Sequence, residues 1–185
     1  MATSTKELRR PASATVVLQE AVKASLSGTA LSISGPLGEA KKDFSKMPVN
    51  LSVEDGTVVV KSFRSRKADL AIVNTVRSIV KNMSIGVTKG FTYRLKIVFA
   101  HFPISIKTKG NEVHIENFYG ERFPRIAKIV GSCKVSVEGD DVVVKGVSVE
   151  DVGQTAANIE EATAVRRKDP RVFLDGIYVY QKEHG

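Results

Sequence analysis

The decapeptide SVEDGTVVVK at residues 52–61 recurs 84 positions later as SVEGDDVVVK at residues 136–145, with seven of ten residues identical. Self-similarity at a fixed period is the mark of a repeated structural unit. Each copy also carries its own local logic. Glu54-Asp55-Gly56 and Gly139-Asp140-Asp141 have the chemistry of hairpin turns. Val58-Val59-Val60 and Val142-Val143-Val144 are continuous β-branched runs, the pattern of a strand buried in a core. A module was duplicated, and both copies kept the pattern that folds them.

The likeness extends outward. Residues 30–44 (ALSISGPLGEAKKDF) face residues 112–126 (EVHIENFYGERFPRI) at a shift of 82, with Leu31 answering Val113, Ile33 answering Ile115 and Gly38-Glu39 answering Gly120-Glu121. Downstream, residues 91–98 (FTYRLKIV) are set against residues 173–180 (FLDGIYVY) at the same shift. A helical stripe lies between the last two blocks of each half. In the first it is Ala68, Ile72, Thr75, Val76, Ile79 and Met83, with Ser65 as N-cap and Gly86 as stop. In the second, Ser148 to Asp151 form a capping box, and Val152, Ala156, Ile159 and Ala162 or Thr163 carry the stripe.

This pattern predicts an α+β protein. It is a tandem duplication of a small antiparallel-sheet domain with one helix packed on each sheet, in β-β-β-α-β order, each half having one core between two layers. The expected division is a polar N-terminal arm over residues 1–20, including Arg9-Arg10-Pro11, a first repeat domain over 21–99, and a second over 100–185. The second begins where the strand ending at Val98 runs into Ala100-His101-Phe102-Pro103.

Charge narrows the class of partner. The net charge is +8 and the isoelectric point about 9.6, a balance that favours a polyanion. Residues 1–100 carry +9 and residues 101–185 carry −1. The second half is segregated rather than neutral. Acid gathers at Asp140-Asp141, Glu150-Asp151 and Glu160-Glu161, and base at Arg122, Arg125 and Lys128 and again at Arg166, Arg167, Lys168 and Arg171. The last cluster follows the second helix directly, and Asp169-Pro170 then makes a turn. Cations at a helix end can serve the helix dipole alone, but four in six residues read as a binding loop. Arginine suits this role because its planar fork holds a phosphate through two hydrogen bonds. Further basic candidates are Lys107, Lys109, Arg64, Arg66 and Lys89.

Other classes find little support. Cys133 is the single cysteine, which excludes an intrachain disulfide and a multi-cysteine zinc site and suits a reducing, cytosolic setting; its ordinary reading is a small hydrophobe. His101, His114 and His184 share no metal-ligand spacing. No dinucleotide fingerprint, phosphate loop or nucleophile elbow occurs, so neither catalysis nor a cofactor is expected. The start of the chain lacks the apolar stretch of a secretory signal, and no run approaches a membrane span, so no membrane partner is expected.

The segment KDPRVFLDGIYVYQK at residues 168–182, with Arg171, Phe173 and Asp175-Gly176-Ile177-Tyr178-Val179 at its core, resembles the C-terminal signature of the large-subunit ribosomal protein six family, in its archaeal and eukaryotic branch. HFPISI at 101–106 and IENFYGER at 115–122 resemble the opening of that family's second domain. The resemblance covers nearly the whole chain. The Gly/Lys-rich loop of bacterial members is missing, which favours the archaeal–eukaryotic branch. The resemblance implies a cytoplasmic, structural RNA-binding protein of the large ribosomal subunit. Its second domain would hold large-subunit ribosomal RNA, beside neighbouring ribosomal proteins and near the region where translational GTPases act. It also implies that residues 166–178 contact RNA.

Within that segment, Asp175 and Gly176 could be an RNA-side device, Asp accepting from backbone amides or arginines and Gly allowing close approach. The ordinary alternative for Gly176 is a kink entering the last strand, and it is the reading favoured here. Tyr178 and Tyr180 alternate with Ile177 and Val179, so an outward tyrosine could stack on an unpaired base. Phe118 to Arg122 read as a turn with an aromatic edge, with Glu121 and Arg122 as a local ion pair. A rival function is a non-ribosomal protein-interaction module using the acidic face of the second domain, and a hydrolase is a third, lacking any catalytic set.

Overall fold

In a computed structural model of the chain, the described residues are 12–19, 21–54, 56–64, 66–166, 168–169 and 171–184. Two compact units divide between Thr88 and Lys89.

The first unit holds strands β1 (Ser13–Val17), β2 (Lys23–Ser27), β3 (Ala30–Gly35), β4 (Gly38–Asp43), β5 (Val49–Glu54) and β6 (Thr57–Ser62), then helix α1 (Lys67–Thr88). They form two antiparallel three-stranded sheets, ordered β1-β6-β5 and β2-β3-β4. Helix α1 packs on β1 and β6 of one sheet and on β3 and β4 of the other. Leu31, Ile33, Val58, Val60, Val73, Val76 and Val80 are fully buried where they meet. Each such side chain contributes about 1.5–3 kcal/mol by leaving water.

The helix presents Val73, Val76, Val80, Ser84 and Val87 to this core. The expected stripe is therefore rotated: Ile72, Ile79 and Met83 sit at its half-buried margin, and Ala68 and Thr75 are exposed. Gly86 is buried in the last turn and does not stop the helix. The helix ends two residues later, where the Thr88 hydroxyl donates back to the Ser84 and Ile85 carbonyls at 3.0 Å and Gly90 takes φ 78°. At the other end the Asp69 carboxylate accepts the Arg66 N–H at 3.1 Å. Ser65, the expected cap, lies outside the described residues.

The second unit holds β7 (Phe91–Val98), β8 (Ser105–Lys109), β9 (Glu112–Glu116), a 3-10 turn (Phe118–Gly120), β10 (Arg125–Lys128), β11 (Lys134–Glu138), β12 (Asp141–Gly146), helix α2 (Val149–Ala162) and β13 (Gly176–His184). Its sheets are ordered β11-β12-β7-β13 and β10-β9-β8. Helix α2 covers β7, β12 and β13 and also meets β10. It buries Val152, Thr155, Ala156, Ile159 and, just past its end, Thr163. Ser148 caps it as expected, its hydroxyl accepting the Asp151 N–H at 3.3 Å.

The fold is thus α+β, with a small antiparallel-sheet module written twice and a helix on each. The division of the chain differs from expectation in two places. Strand β7, expected to close the first module, is an inner strand of the second, with Leu95 opposite Val142 on one side and Val179 on the other. Its alternation of Phe91, Tyr93, Leu95 and Ile97 suits the last strand of one module and the first of the next equally. The neighbours decide, because β12 and β13 together satisfy both of its edges. Its counterpart in the first unit is β1, which pairs with β6 as β7 pairs with β12. Residues 13–17 are accordingly a strand, not arm: Val16 and Leu18 are buried, and Val16 sits opposite Val58. Arg9, Arg10 and Pro11 lie outside the described residues.

Candidate nucleic-acid interface

Three connecting segments of the second unit converge: residues 99–103 after β7, 117–124 around the 3-10 turn, and the described residues of 164–175 after α2. Asp175 ties the first to the last. It is only 2% exposed, and its carboxylate accepts the Ala100 N–H at 3.0 Å, the His101 N–H at 3.2 Å and the His101 Nδ1 at 3.1 Å. Burial pushes the Asp175 carboxyl up, but the His101 ring and the two amides outweigh it and hold the group below the usual carboxylate range. Asp175 is therefore committed inside the protein. Its bonds tie the segment after β7 to the segment before β13.

His101 then stacks on Phe173, ring centroids 4.9 Å apart and 12° from parallel, and Tyr119 tilts against Phe173 at 5.0 Å. Tyr119 sits in an unusual turn. Asn117 and Tyr119 both have left-handed backbone, φ 59° and 61°, and Gly120 follows at φ 72°. Such conformations cost of order 1–3 kcal/mol each in non-glycine residues and gather at functional sites. The Asn117 side chain braces the turn by donating to the Pro103 carbonyl at 3.0 Å.

Arg125 holds the turn to the helix. Its Nε and Nη2 donate to the two oxygens of Glu121 at 2.9 and 2.7 Å, while Nη1 donates to the carbonyls of Ala162 and Ala164 at 3.0 and 3.4 Å. Its guanidinium lies 4.5 Å over the Phe118 ring. Hydrogen bonding from Arg125 lowers the Glu121 carboxyl, and the same bond raises the Arg125 guanidinium. Four of the five guanidinium N–H groups are thus used internally. Arg125, one of the basic candidates of the sequence, sits at the C-terminus of α2 and caps orphan carbonyls there. Glu121 pairs with Arg125 rather than with the adjacent Arg122, because β10 aims Arg125 back at the turn.

Between this turn and the end of α2 lies an open pocket of about 460 Å³, lined by Tyr119, Glu121, Arg125, Glu161, Val165 and Arg166 among others. Arg166 lines it, and Arg122, Lys168 and Arg171 are further exposed cations on the same connecting segments. None of these four has an ion pair among the described residues. Arg171 is set by an Asx turn, its N–H donating to the Asp169 carboxylate at 2.9 Å. Exposed apolar groups accompany them: Phe102, Phe123, Val172 and Leu174. Gly176 and Tyr178 form one device. The Tyr178 hydroxyl donates to the Leu174 carbonyl at 3.3 Å, and a methyl group on Gly176 would meet the ring at 2.8 Å. Gly176 is the first residue of β13, and a side chain there would push the exposed Tyr178 ring aside.

The other expected residues lie elsewhere. Lys107, on β8, donates to Glu116 at 2.7 Å. Lys109 is exposed at the end of the same strand, and Lys89 is exposed just before β7. Arg64 and Arg66 are exposed before α1 in the first unit. Arg167 lies outside the described residues. Sequence reasoning missed His101, Phe173, Tyr119 and Glu161 as members of this end. The aromatic edge at residues 118–122 was the available signal.

Among the described residues, no group of three or more His, Cys, Asp or Glu is placed to hold a metal ion, and no helix is long and apolar enough to cross a membrane. The model of the ribosomal protein L6 family matches residues 20–90 and 102–176. The large ribosomal subunit protein uL6 of Methanosarcina mazei is 46% identical over 177 residues, covering 96% of this chain and 98% of the relative. That of Aeropyrum pernix is 47% identical over 169 residues, covering 91% and 93%, and that of Ignicoccus hospitalis 45% over 175, covering 92% and 94%. With the duplicated α+β fold, the matched residues covering β2 to α1 and β8 to the start of β13, and identity near one half along nearly full length, this chain belongs to the ribosomal protein L6 family.

Proposed function

We propose that this protein is a structural, non-catalytic constituent of the large ribosomal subunit, and that it binds large-subunit ribosomal RNA through the loop end of its second unit. The observation that carries this is the set of four exposed cations, Arg122, Arg166, Lys168 and Arg171, left without an internal ion pair. Nearby acids Glu121 and Asp175 are consumed by internal bonds. Phosphate neutralisation supplies affinity, and the rigid aromatic and apolar groups between the cations supply shape. Arg64 and Arg66 of the first unit and Lys89 of the second are proposed as separate RNA contacts, each exposed. Membership in the family supports neighbouring ribosomal proteins as further partners, and the C-terminal signature supports a position near the site of translational GTPases.

The test is the salt dependence of binding to a large-subunit RNA fragment. Log affinity should fall against log salt with a slope of about −0.7 to −0.9 per phosphate neutralised. In the Arg166→Ala, Lys168→Ala, Arg171→Ala variant the slope should shrink by about 2–3. Affinity that stays flat with salt, or a triple variant with unchanged slope, refutes the assignment.

A further inference from the structure

The pocket between the 3-10 turn and the end of α2 does not fit a phosphate. Two of its walls are carboxylates, Glu121 and Glu161. Arg125 neutralises Glu121 through both oxygens. Glu161 is exposed at the last turn of α2, and its carboxylate has no hydrogen bond or ion pair among the described residues. A carboxylate accepts hydrogen bonds and donates none. At the pocket wall this carboxylate offers its two oxygens to a ligand with donors, and repels an anion.

Tyr119 supplies an aromatic wall beside it. The ring is preorganised from behind by Phe173, which is itself stacked on His101, and these rings are fixed by the Asp175 clamp. Tyr119 itself has left-handed backbone, φ 61°. Arg166, also lining the pocket, brings a cation that can take the phosphate of whatever enters. An aromatic face, an open carboxylate and a rim guanidinium match the three parts of a nucleotide: base, donor edge and phosphate.

The donor edge selects the base. Guanine presents two adjacent donors, its ring N1–H and its exocyclic N2 amine, which meet the two oxygens of one carboxylate. Adenine and cytosine present one amino group, and uracil one ring N–H flanked by acceptors that a carboxylate repels. A volume of about 460 Å³ admits one base with its sugar. We infer that this pocket seats a single unpaired guanosine of RNA, stacked on Tyr119 and read by Glu161. The inference rests on the RNA-binding reading above but adds a base-specific site to it.

The experiment uses the full-length protein and labelled heptanucleotides UUUGUUU, UUUAUUU and UUUIUUU, where I is inosine, with GMP as a separate probe. The guanosine heptamer should bind at least about tenfold tighter than the adenosine one, with inosine between because it lacks the N2 amine. Glu161→Gln should bring all three within about twofold while binding to the large-subunit RNA fragment keeps its salt slope. Arg166→Ala should weaken all three together. A wild-type protein without guanosine preference, a preference that survives Glu161→Gln, or no heptamer binding at all overturns the inference. Each leaves the ribosomal RNA reading intact if the long fragment still binds. GMP bound as tightly as the guanosine heptamer overturns the RNA assignment in favour of a free nucleotide.

Discussion

Asp175 shows how a residue's chemistry can be legible while its address is not. The sequence suggests an aspartate that accepts backbone amides or arginines, and both amides are there, on Ala100 and His101. What no local pattern reveals is that they come from a segment more than seventy residues away, so that the bond joins two distant segments of the second unit. Asp175→Asn should destabilise the fold by about 1–3 kcal/mol at neutral pH, because it buries an amide group facing donors that the carboxylate accepted. The pH dependence has a definite sign. The folded carboxyl lies below the usual range, so its contribution is complete above the unfolded value of about 3.9 and fades as pH falls through the folded value. Urea melts across acid pH should show the gap between wild type and Asp175→Asn narrowing as pH falls below the unfolded value of about 3.9. A gap that widens in acid contradicts this account of the clamp. Arg125 teaches the converse: its place in a basic cluster suggested phosphate, but a helix end and a carboxylate lay closer.

The elements were readable where one signal dominated. The Ser148 cap and the Val152, Ala156, Ile159 stripe of α2 follow from spacing alone, and the valine runs became β6 and β12. The stripe of α1 was misplaced by about one residue, since a helix that meets two sheets buries a wide arc and its margin looks like its centre. The 3-10 turn was legible only as a turn. Its demand for Gly120 comes from φ 72° together with the Phe102 ring, which a methyl group would approach to 3.2 Å. Gly120→Ala should therefore cost about 1–2 kcal/mol, more than the usual gain of removing a glycine from an unstrained loop. Thermal melts would measure this. Stability equal to or above wild type would mean that the turn relaxes freely and does not hold Tyr119.

At the scale of the molecule, duplication was plain in the sequence, but the seam was not. The expected seam at residue 99 separates β7 from β12 and β13, whereas the compact units part at residue 88. A strand's allegiance depends on long-range pairing, and alternation of side chains carries no information about partners. A fragment of residues 89–185 should fold cooperatively. One of residues 100–185, lacking its inner strand, should show no sigmoidal thermal transition by circular dichroism; a cooperative melt of the shorter fragment would contradict the boundary. The central claim is that the loop end of the second unit meets ribosomal RNA. The most direct test is ultraviolet crosslinking of the protein in assembled large subunits, with the crosslinked peptides identified by mass spectrometry. RNA-linked peptides should come from residues 117–124 and 164–175. RNA links confined to other surfaces, with both of these segments unmodified, would contradict the account.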